Sequence, residues 1–302
     1  MGEPTLALKK LWHLILFGLA RLALALTAVA PVGFMLAFTD AIGSLIFTIL
    51  PSRARIAVEN LLAAGVAADE AAARRIGRRC FQSFSRMITE TVIARERITP
   101  ENWTDFVTLD ATPEALALLR DPRQGAVVAS AHLGNWEVAA RAVSMIRPVS
   151  VVYRPMNNPY LERHLHSGRG GSNLHFISKY KASPLRFMKL LAEGNWLALM
   201  IDQHISEAGE RVRVNFFGRP CWTTRSVAMM HLTTRMPLFV AIAARTGQMK
   251  FKVHLLGPIQ WQRSGNREQD VLGITQSLTD EIEKITRRYP EQYLWGHRRW
   301  KE

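Results

Sequence analysis

Two residues five positions apart carry the first chemical signal in this chain. His132 closes an apolar run, Ala-Val-Val-Ala-Ser-Ala, and Glu137 follows a Gly134-Asn135 pair and Trp136. The pattern predicts a strand over 125–130, a tight turn, and a helix over 136–145. In open α/β sheets, ligands bind at the carboxyl ends of strands. A side chain in the first turn of a helix can fold back toward the residues before it, as a capping-box glutamate does. Glu137 is therefore expected to accept a hydrogen bond from one nitrogen of His132, fixing the tautomer and stabilising the imidazolium. The other nitrogen is left to take a proton from a substrate hydroxyl. On spacing alone, a structural histidine with a chance carboxylate neighbour competes with this reading.

Such a base needs a nucleophile, and the sequence offers no convincing protein one. It has no G-x-S-x-G elbow and no S-x-x-K. Cys80 and Cys221 lie far apart, with no CxxC between them, and neither has a reactive context. There is no H-E-x-x-H and no Walker loop. The glycine-bearing stretch 168–172 is too irregular for a dinucleotide fingerprint. His132 and Glu137 have no partners at ligand spacing, so neither a metal nor a cofactor is expected. The chemistry that fits is a single displacement: a hydroxyl supplied by one substrate attacks an acyl group, and amide or guanidinium donors hold the developing oxyanion.

The elements that must position these residues alternate after Pro100. Strands are predicted over 106–109, 125–130, 149–153, 196–201, 238–244 and 251–256. Helices are predicted over 113–120, 157–166, 183–193, 225–234 and 267–289, and 206–213 reads as a charged loop. The expected fold class is α/β: a single domain with a mixed, largely parallel sheet flanked by helices, plus an amino-terminal helical, membrane-associated arm. Residues 56–98 read as helical, with Ile76, Cys80, Phe84, Met87 and Ile88 recurring on an apolar face and Arg75, Arg78, Arg79 and Arg86 on others.

The arm covers residues 1–50 and the α/β domain residues 51–302. Between residues 11 and 50 only Arg21 and Asp40 carry full charges, and 22–39 is an uncharged run long enough to cross a bilayer, interrupted by Pro31 and Gly33. A signal peptide fits Lys9, Lys10 and the Ala28-Val29-Ala30 string, but Pro31 is a poor residue to follow a cleavage site. A buried helix pair and a membrane anchor are the other readings, and the anchor is favoured. The arginines at 53, 55, 74, 75, 78 and 79 outnumber Lys9 and Lys10, which places the domain on the cytoplasmic side.

Charge points the same way. With 302 residues, 48% hydrophobic and 21% charged, the chain has an ordinary globular composition. Its net charge of +14 does not, and favours anionic partners: nucleic acid, anionic lipid or an acidic protein. The tail from Tyr293 to Trp300 mixes aromatic and basic residues. A stacking platform for single strands is one reading; an amphipathic tail with tryptophan at the bilayer interface agrees better with the apolar amino terminus.

Ala131-His132-Leu-Gly-Asn-Trp-Glu137 resembles the signature of the lysophospholipid acyltransferase superfamily, and specifically its lipid A biosynthesis branch, the lauroyl and myristoyl transferases. The resemblance spans nearly the whole chain in ordered blocks: Arg53 to Leu61, Val152-Tyr153-Arg154-Pro155, Ile201-Asp202-Gln203, Asn215-Phe216-Phe217-Gly218, Arg235-Met236-Pro237-Leu238, and Pro290 to Trp300. It implies transfer of a fatty acyl group from acyl carrier protein to a hydroxyl of a lipid A precursor, at the cytoplasmic face of the inner membrane, with no nucleic acid involved. It implies His132 as general base and Glu137 as its orienting partner. Arg154 matches the block that binds substrate phosphate or assists at the acyl carbonyl. Asp202 and Gln203 line the same cleft, and Asn135 joins them as a substrate contact. One departure bears on the acceptor: His204 stands where members acting on lipid A often carry a second acidic residue. Lysophospholipids, glycolipids and aminolipids are the alternative acceptors.

Overall fold

Short apolar runs bounded by Gly, Pro and Asn become the strands of one sheet. The computed structural model describes residues 30–166 and 173–301, together with Lys10, Leu14 and Gly18. Most of the uncharged run 22–39 before Pro31, and the stretch 168–172, lie outside the described residues. The strands are β1 (Val107–Ala111), β2 (Ala126–Ser130), β3 (Val149–Tyr153), β4 (Leu174–Ser178), β5 (Trp196–Met200), β6 (Arg211–Phe216), β7 (Arg219–Thr224), β8 (Leu238–Gly247) and β9 (Lys250–Leu256). Seven form one sheet in the order β1-β9-β8-β2-β5-β3-β4. Its pairings are parallel except β8 with β9. The sheet is thus mixed and largely parallel, as the alternation of strands and helices predicts.

Helices cover both faces because successive side chains of a strand point to opposite sides. In β2 every residue is buried. Val127 and Ala129 join a core with Val227 and Leu232 of the helix Ser226–Thr234 and Ile274, Leu278 and Ile282 of the helix Arg267–Arg288. Ala126 and Val128 face the other way, into a core with Leu119 of the helix Pro113–Arg120 and Val143 of the helix Trp136–Ser144. A strand clothed on both sides reads as a continuous apolar run, which is what 126–131 is.

Among the described residues, the long helices before the sheet are α1 (Val32–Ile49), α2 (Pro51–Ala63) and α3 (Glu70–Arg97). After a one-turn α4 (Trp103–Phe106), the helices named above are α5 (Pro113–Arg120) and α6 (Trp136–Ser144), followed by α7 (Pro159–His166), α8 (Pro184–Ala192), α9 (Ser226–Thr234) and α10 (Arg267–Arg288). Pro31 is the N-cap residue just before α1, so a helix starts where the apolar run is interrupted. Among the described residues α1 is the one helix long and apolar enough to cross a membrane by length and composition. One of its faces (Met35, Leu36, Thr39, Gly43, Phe47) is buried, and α3 lies against it. At Gly43 the two backbones nearly touch: an added Cβ would stand 2.5 Å from the Cα of Gln82. Asp40, the one acid of the apolar stretch, takes a bidentate ion pair from Arg86. The opposite face leaves Phe34, Phe38, Ile42, Leu45 and Ile49 exposed as one stripe.

The charged loop expected over 206–213 is only partly a loop. Arg211–Phe216 and Arg219–Thr224 form an antiparallel hairpin. Its two-residue turn, Phe217-Gly218, has φ of +53° and +69°, the left-handed geometry that matches strand twist. The hairpin packs on α10, where Asn215 N donates to Gln276 Oε1 at 2.8 Å.

Candidate active site

Parallel register brings two distant residues together. β2 and β5 are neighbours, with Ser130 opposite Met200. Both strands end at the same edge of the sheet, and two residues beyond each end stand His132 and Asp202. Ile201 N donates to Ser130 O at 3.0 Å, continuing the pairing past β5. The ring Nδ1 of His132 bonds Asp202 Oδ1 at 2.8 Å, and the backbone N–H of His132 donates to Asp202 Oδ2 at 2.9 Å. One carboxylate therefore fixes both the main chain and the ring. The Asp202 side chain is 3% exposed and that of His132 20%, so the pair is buried but the ring stays reachable.

Each group favours the charged form of the other. Burial pushes the His132 imidazole down, but the charge and hydrogen bond of Asp202 outweigh it, and the pKa lies above its ordinary 6.5. Burial pushes Asp202 up; the charge and hydrogen bonds of His132, with help from Arg299, outweigh that and set it below its ordinary 3.8. Gln203 Nε2 stands 3.4 Å from His132 Nε2. With Nδ1–H donating to Asp202, Nε2 of the neutral ring is the acceptor nitrogen, and the Gln203 amide stands beside it.

The turn after His132 is built to tight tolerance. Gly134 has φ +62°, and a Cβ there would sit 1.9 Å from Ala243 O of β8. Its N–H donates to Gln292 O, and Asn135 N–H to Ala243 O. Asn135 caps α6: its Oδ1 accepts from Val138 N at 3.1 Å, while its Nδ2 donates to Glu90 Oε2 at 3.2 Å. Glu90 is fully buried and paired with Arg245. Asn135, expected as a substrate contact, is 0% exposed, with its side chain engaged in this turn. Trp136 packs edge-on to the His132 ring, with centroids 5.0 Å apart.

Glu137 lies in the first turn of α6 as predicted and lines a small cavity with Thr91, Arg95 and Arg141. The carboxylate at Nδ1 of His132 is that of Asp202, whereas the sequence expectation gave Glu137 the orienting part. Arg154 follows β3, which pairs with β5 in parallel, so it leaves the sheet at the same edge as Asp202; it is exposed. Among the described residues no group of three or more His, Cys, Asp or Glu is placed to hold a metal ion.

The carboxyl-terminal segment belongs to the site. Leu294 N donates to His132 O at 3.1 Å, and His297 Nε2 accepts from His204 N at 3.1 Å. Arg299 is 2% exposed and donates to Gln203 O and Trp222 O. Asn60 of α2 holds the carbonyls of Trp295 and His297. The expectation of an interfacial tail is corrected here: Tyr293 and Trp295 are 2% and 1% exposed, packed among Phe216 and Phe217. His297 and Arg299 were not expected in the site, and the signal that could have found them is the block Pro290 to Trp300, in which basic residues alternate with large aromatics.

A partly buried histidine at a strand end, oriented by a buried carboxylate on a mixed α/β sheet, suits acyl transfer, and the chain is an acyltransferase. It belongs to the family of bacterial lipid A biosynthesis acyltransferases, which it matches over residues 6–302. It is similar to the lipid A biosynthesis palmitoleoyltransferase of Escherichia coli (strain K12), 24% identical over 226 residues that cover 73% of this chain and 70% of the relative. A lipid A biosynthesis acyltransferase of Shigella flexneri is similar to the same degree, over the same shares of both chains.

Proposed function

We propose that the protein moves a fatty acyl chain from an acyl carrier protein thioester to a hydroxyl of a lipid A precursor, with His132 as general base. The acceptor hydroxyl gives its proton to Nε2 of His132 as its oxygen attacks the thioester carbonyl. The C–S bond then breaks, and the leaving thiolate recovers the proton from the imidazolium. Asp202 orients the ring and balances the imidazolium. Glu137 is the second acid of the site, and Arg154 and Gln203 meet the substrates. The single observation that carries the reading is the two-point grip of buried Asp202 on His132 at the carboxyl ends of adjacent parallel strands. Residues 1–50 serve as the membrane arm and residues 51–302 as the catalytic domain, on the cytoplasmic side of the inner membrane. The acidic carrier, the phosphorylated acceptor and the anionic leaflet are each suited to a chain of net charge +14.

The test is acyl transfer by purified protein supplied with acyl carrier thioester and lipid A precursor, beside the lipid mass spectrum of cells lacking the protein. His132→Ala should lose about 10²- to 10⁴-fold in turnover, the usual worth of a positioned base, while keeping the wild-type circular dichroism spectrum. Wild-type turnover in that variant would sink the mechanism. An unchanged lipid A acyl count in the deletion strain would redirect the acceptor to a lysophospholipid, glycolipid or aminolipid, the alternative that His204 raises.

A further inference from the structure

The carboxyl edge of the sheet carries more than the His132–Asp202 pair. Tyr153 and Ser178 are register partners in the parallel pairing of β3 with β4, and β3 is parallel to β5, so the chain beyond each leaves the sheet at the edge where His132 and Asp202 stand. Three residues past Tyr153 is Met156, and two past Ser178 is Tyr180. The 3₁₀ turn Lys179–Lys181 leads from there towards α8, whose first turns hold Leu185 and Met188. The faces of that helix differ. Phe187 and Leu191 are buried, whereas Leu185 is 79% exposed, Tyr180 70%, Met156 42% and Met188 40%. Isolated exposed apolar side chains are ordinary, but several large ones at one corner of a fold mark a contact surface.

Charge identifies the kind of contact. Between Glu162 and Glu193 the chain has no acidic residue. Lys179, Lys181, Arg186 and Lys189 are exposed among the apolar side chains. Among the described residues, Lys189 is the one of these four in an ion pair, with Glu193 at 3.9 Å. Glu162, the acid beside Met156, is occupied: its Oε1 accepts from the Tyr153 hydroxyl at 2.8 Å and its Oε2 from the Met156 N–H at 2.9 Å. Apolar side chains ringed by lysine and arginine complement an anionic lipid surface. The first enter the boundary of the acyl chains, and the second reach the headgroups on their long stems.

The corner has a counterpart across the site. β8 is parallel to β2, so the turn Gln248-Met249 between β8 and β9 lies at the same edge. Gly33, in the first turn of α1, stands against that turn: an added Cβ would be 3.5 Å from Gln248 Nε2. The sheet order places β2 and β5, which lead to His132 and Asp202, between β8 and the β3–β4 pair. The reacting pair is thus flanked by the start of α1, with its exposed stripe, and by the corner around Leu185. A lipid surface is continuous and meets both at once, whereas a protein seated on the corner leaves the α1 stripe to another occupant. We propose that Met156, Tyr180, Leu185 and Met188, with Lys179, Lys181 and Arg186, form a second lipid-binding surface. It dips into an anionic leaflet and, with α1, holds the mouth of the His132 site against the membrane. The inference rests on the reading of a protein that works on membrane lipid, but lipid contact is measured without turnover.

Cys80 and Cys221 are buried, so Leu185→Cys in the full-length protein offers a selective site for an environment-sensitive fluorophore. Arg123→Cys, exposed before the amino end of β2 and so at the opposite edge of the sheet, is the control. On vesicles of phosphatidylglycerol and phosphatidylethanolamine, the Leu185 label should shift its emission to the blue and lose intensity to shallowly brominated lipid. The Arg123 label should do neither. Lys179→Gln with Lys181→Gln should weaken partition onto these vesicles by about tenfold or more, at about fivefold for each lysine near an anionic surface, and leave partition onto phosphatidylcholine vesicles unchanged. A Leu185 label that stays in water while a label at Ile42→Cys of α1 enters lipid would overturn the second surface alone. If neither label enters, the membrane reading fails with it. A blue shift on adding acidic carrier protein, and none on vesicles, would assign the corner to that protein and overturn the proposal. So would equal weakening on both kinds of vesicle.

Discussion

Asp202 grips His132 at two atoms, and the two bonds have different consequences. The bond to the main-chain N–H fixes where the residue stands, and the bond to Nδ1 fixes which nitrogen is basic. Because Asp202 raises the imidazole above 6.5, the acidic limb of kcat/KM should lie above that value, with activity rising as Nε2 loses its proton. Asp202→Asn removes the charge and leaves burial to act alone, so the limb should move to lower pH. The rate should fall by about 10²- to 10⁴-fold, because the amide no longer enforces the tautomer. A pH–rate profile of the variant checks both, and an unmoved limb would count against Asp202 as the orienting group. Glu137→Gln separates the two acids: turnover should fall with the limb in place, whereas a limb that followed Glu137 would restore the pairing expected from sequence. Stability follows the same two groups. The contribution from raised His132 is full below 6.5 and fades as pH climbs through its folded value. That from lowered Asp202 is full above 3.8 and is lost as pH falls through its folded value. The pair is therefore most stabilising between the two.

At the scale of elements, the turn between β2 and α6 has the least tolerance. Gly134→Ala meets both a left-handed φ and the carbonyl of Ala243, so β8 or the turn must move. A loss of about 1–3 kcal/mol is expected, the usual cost of such backbone strain, read as a Tm lowered by several degrees and as slower transfer, since His132 is two residues away. An unchanged Tm and rate would show that the turn adapts. This turn was legible in the sequence, because Gly-Asn after a β-branched run is a local signal. So were β2, β3 and β5 and the helices from α5 onward, each bounded by Gly, Pro or a capping residue. The partner of His132 was not, because Glu137 is local and Asp202 is reached only through the parallel register of two strands. One chain read alone does not give that register, although Ile201-Asp202-Gln203 at a strand end marked Asp202 as part of the cleft. The hairpin of β6 and β7 escaped because its exposed positions are Arg213, Asn215 and Pro220, none of them a strand signal. Its period-two burial of Val214, Phe216, Cys221 and Thr223 and its Phe217-Gly218 turn were the missed signs. The tail was misplaced for a related reason: alternating aromatic and basic residues look alike at a bilayer and in a core, and here Arg299 spends its donors on buried carbonyls.

At the scale of the whole molecule, the two faces of α1 bear on how it would meet lipid. Its inner face is committed to α3, sealed at Gly43 and by the Asp40–Arg86 pair, so it does not present apolar side chains all round as a lone spanning helix must. Its outer stripe, Phe34, Phe38, Ile42, Leu45 and Ile49, runs the length of the helix, and Arg53 and Arg55 follow in the first two turns of α2. One apolar face, basic residues at the end and a net charge of +14 fit a helix lying in the interface against an anionic leaflet. The two geometries differ in depth. Eighteen residues span about 27 Å at 1.5 Å each, so a crossing helix carries Phe34 and Ile49 to opposite sides of the hydrocarbon, and a flat one keeps them level. Cys80 and Cys221 are both buried, which leaves Phe34→Cys, Ile42→Cys and Ile49→Cys as selective sites for a fluorophore. Quenching by lipids brominated at graded depths should place all three labels at one shallow depth in anionic vesicles. Labels that step from one interface through the bilayer centre to the other would show that α1 crosses, and that α3 parts from it on the membrane.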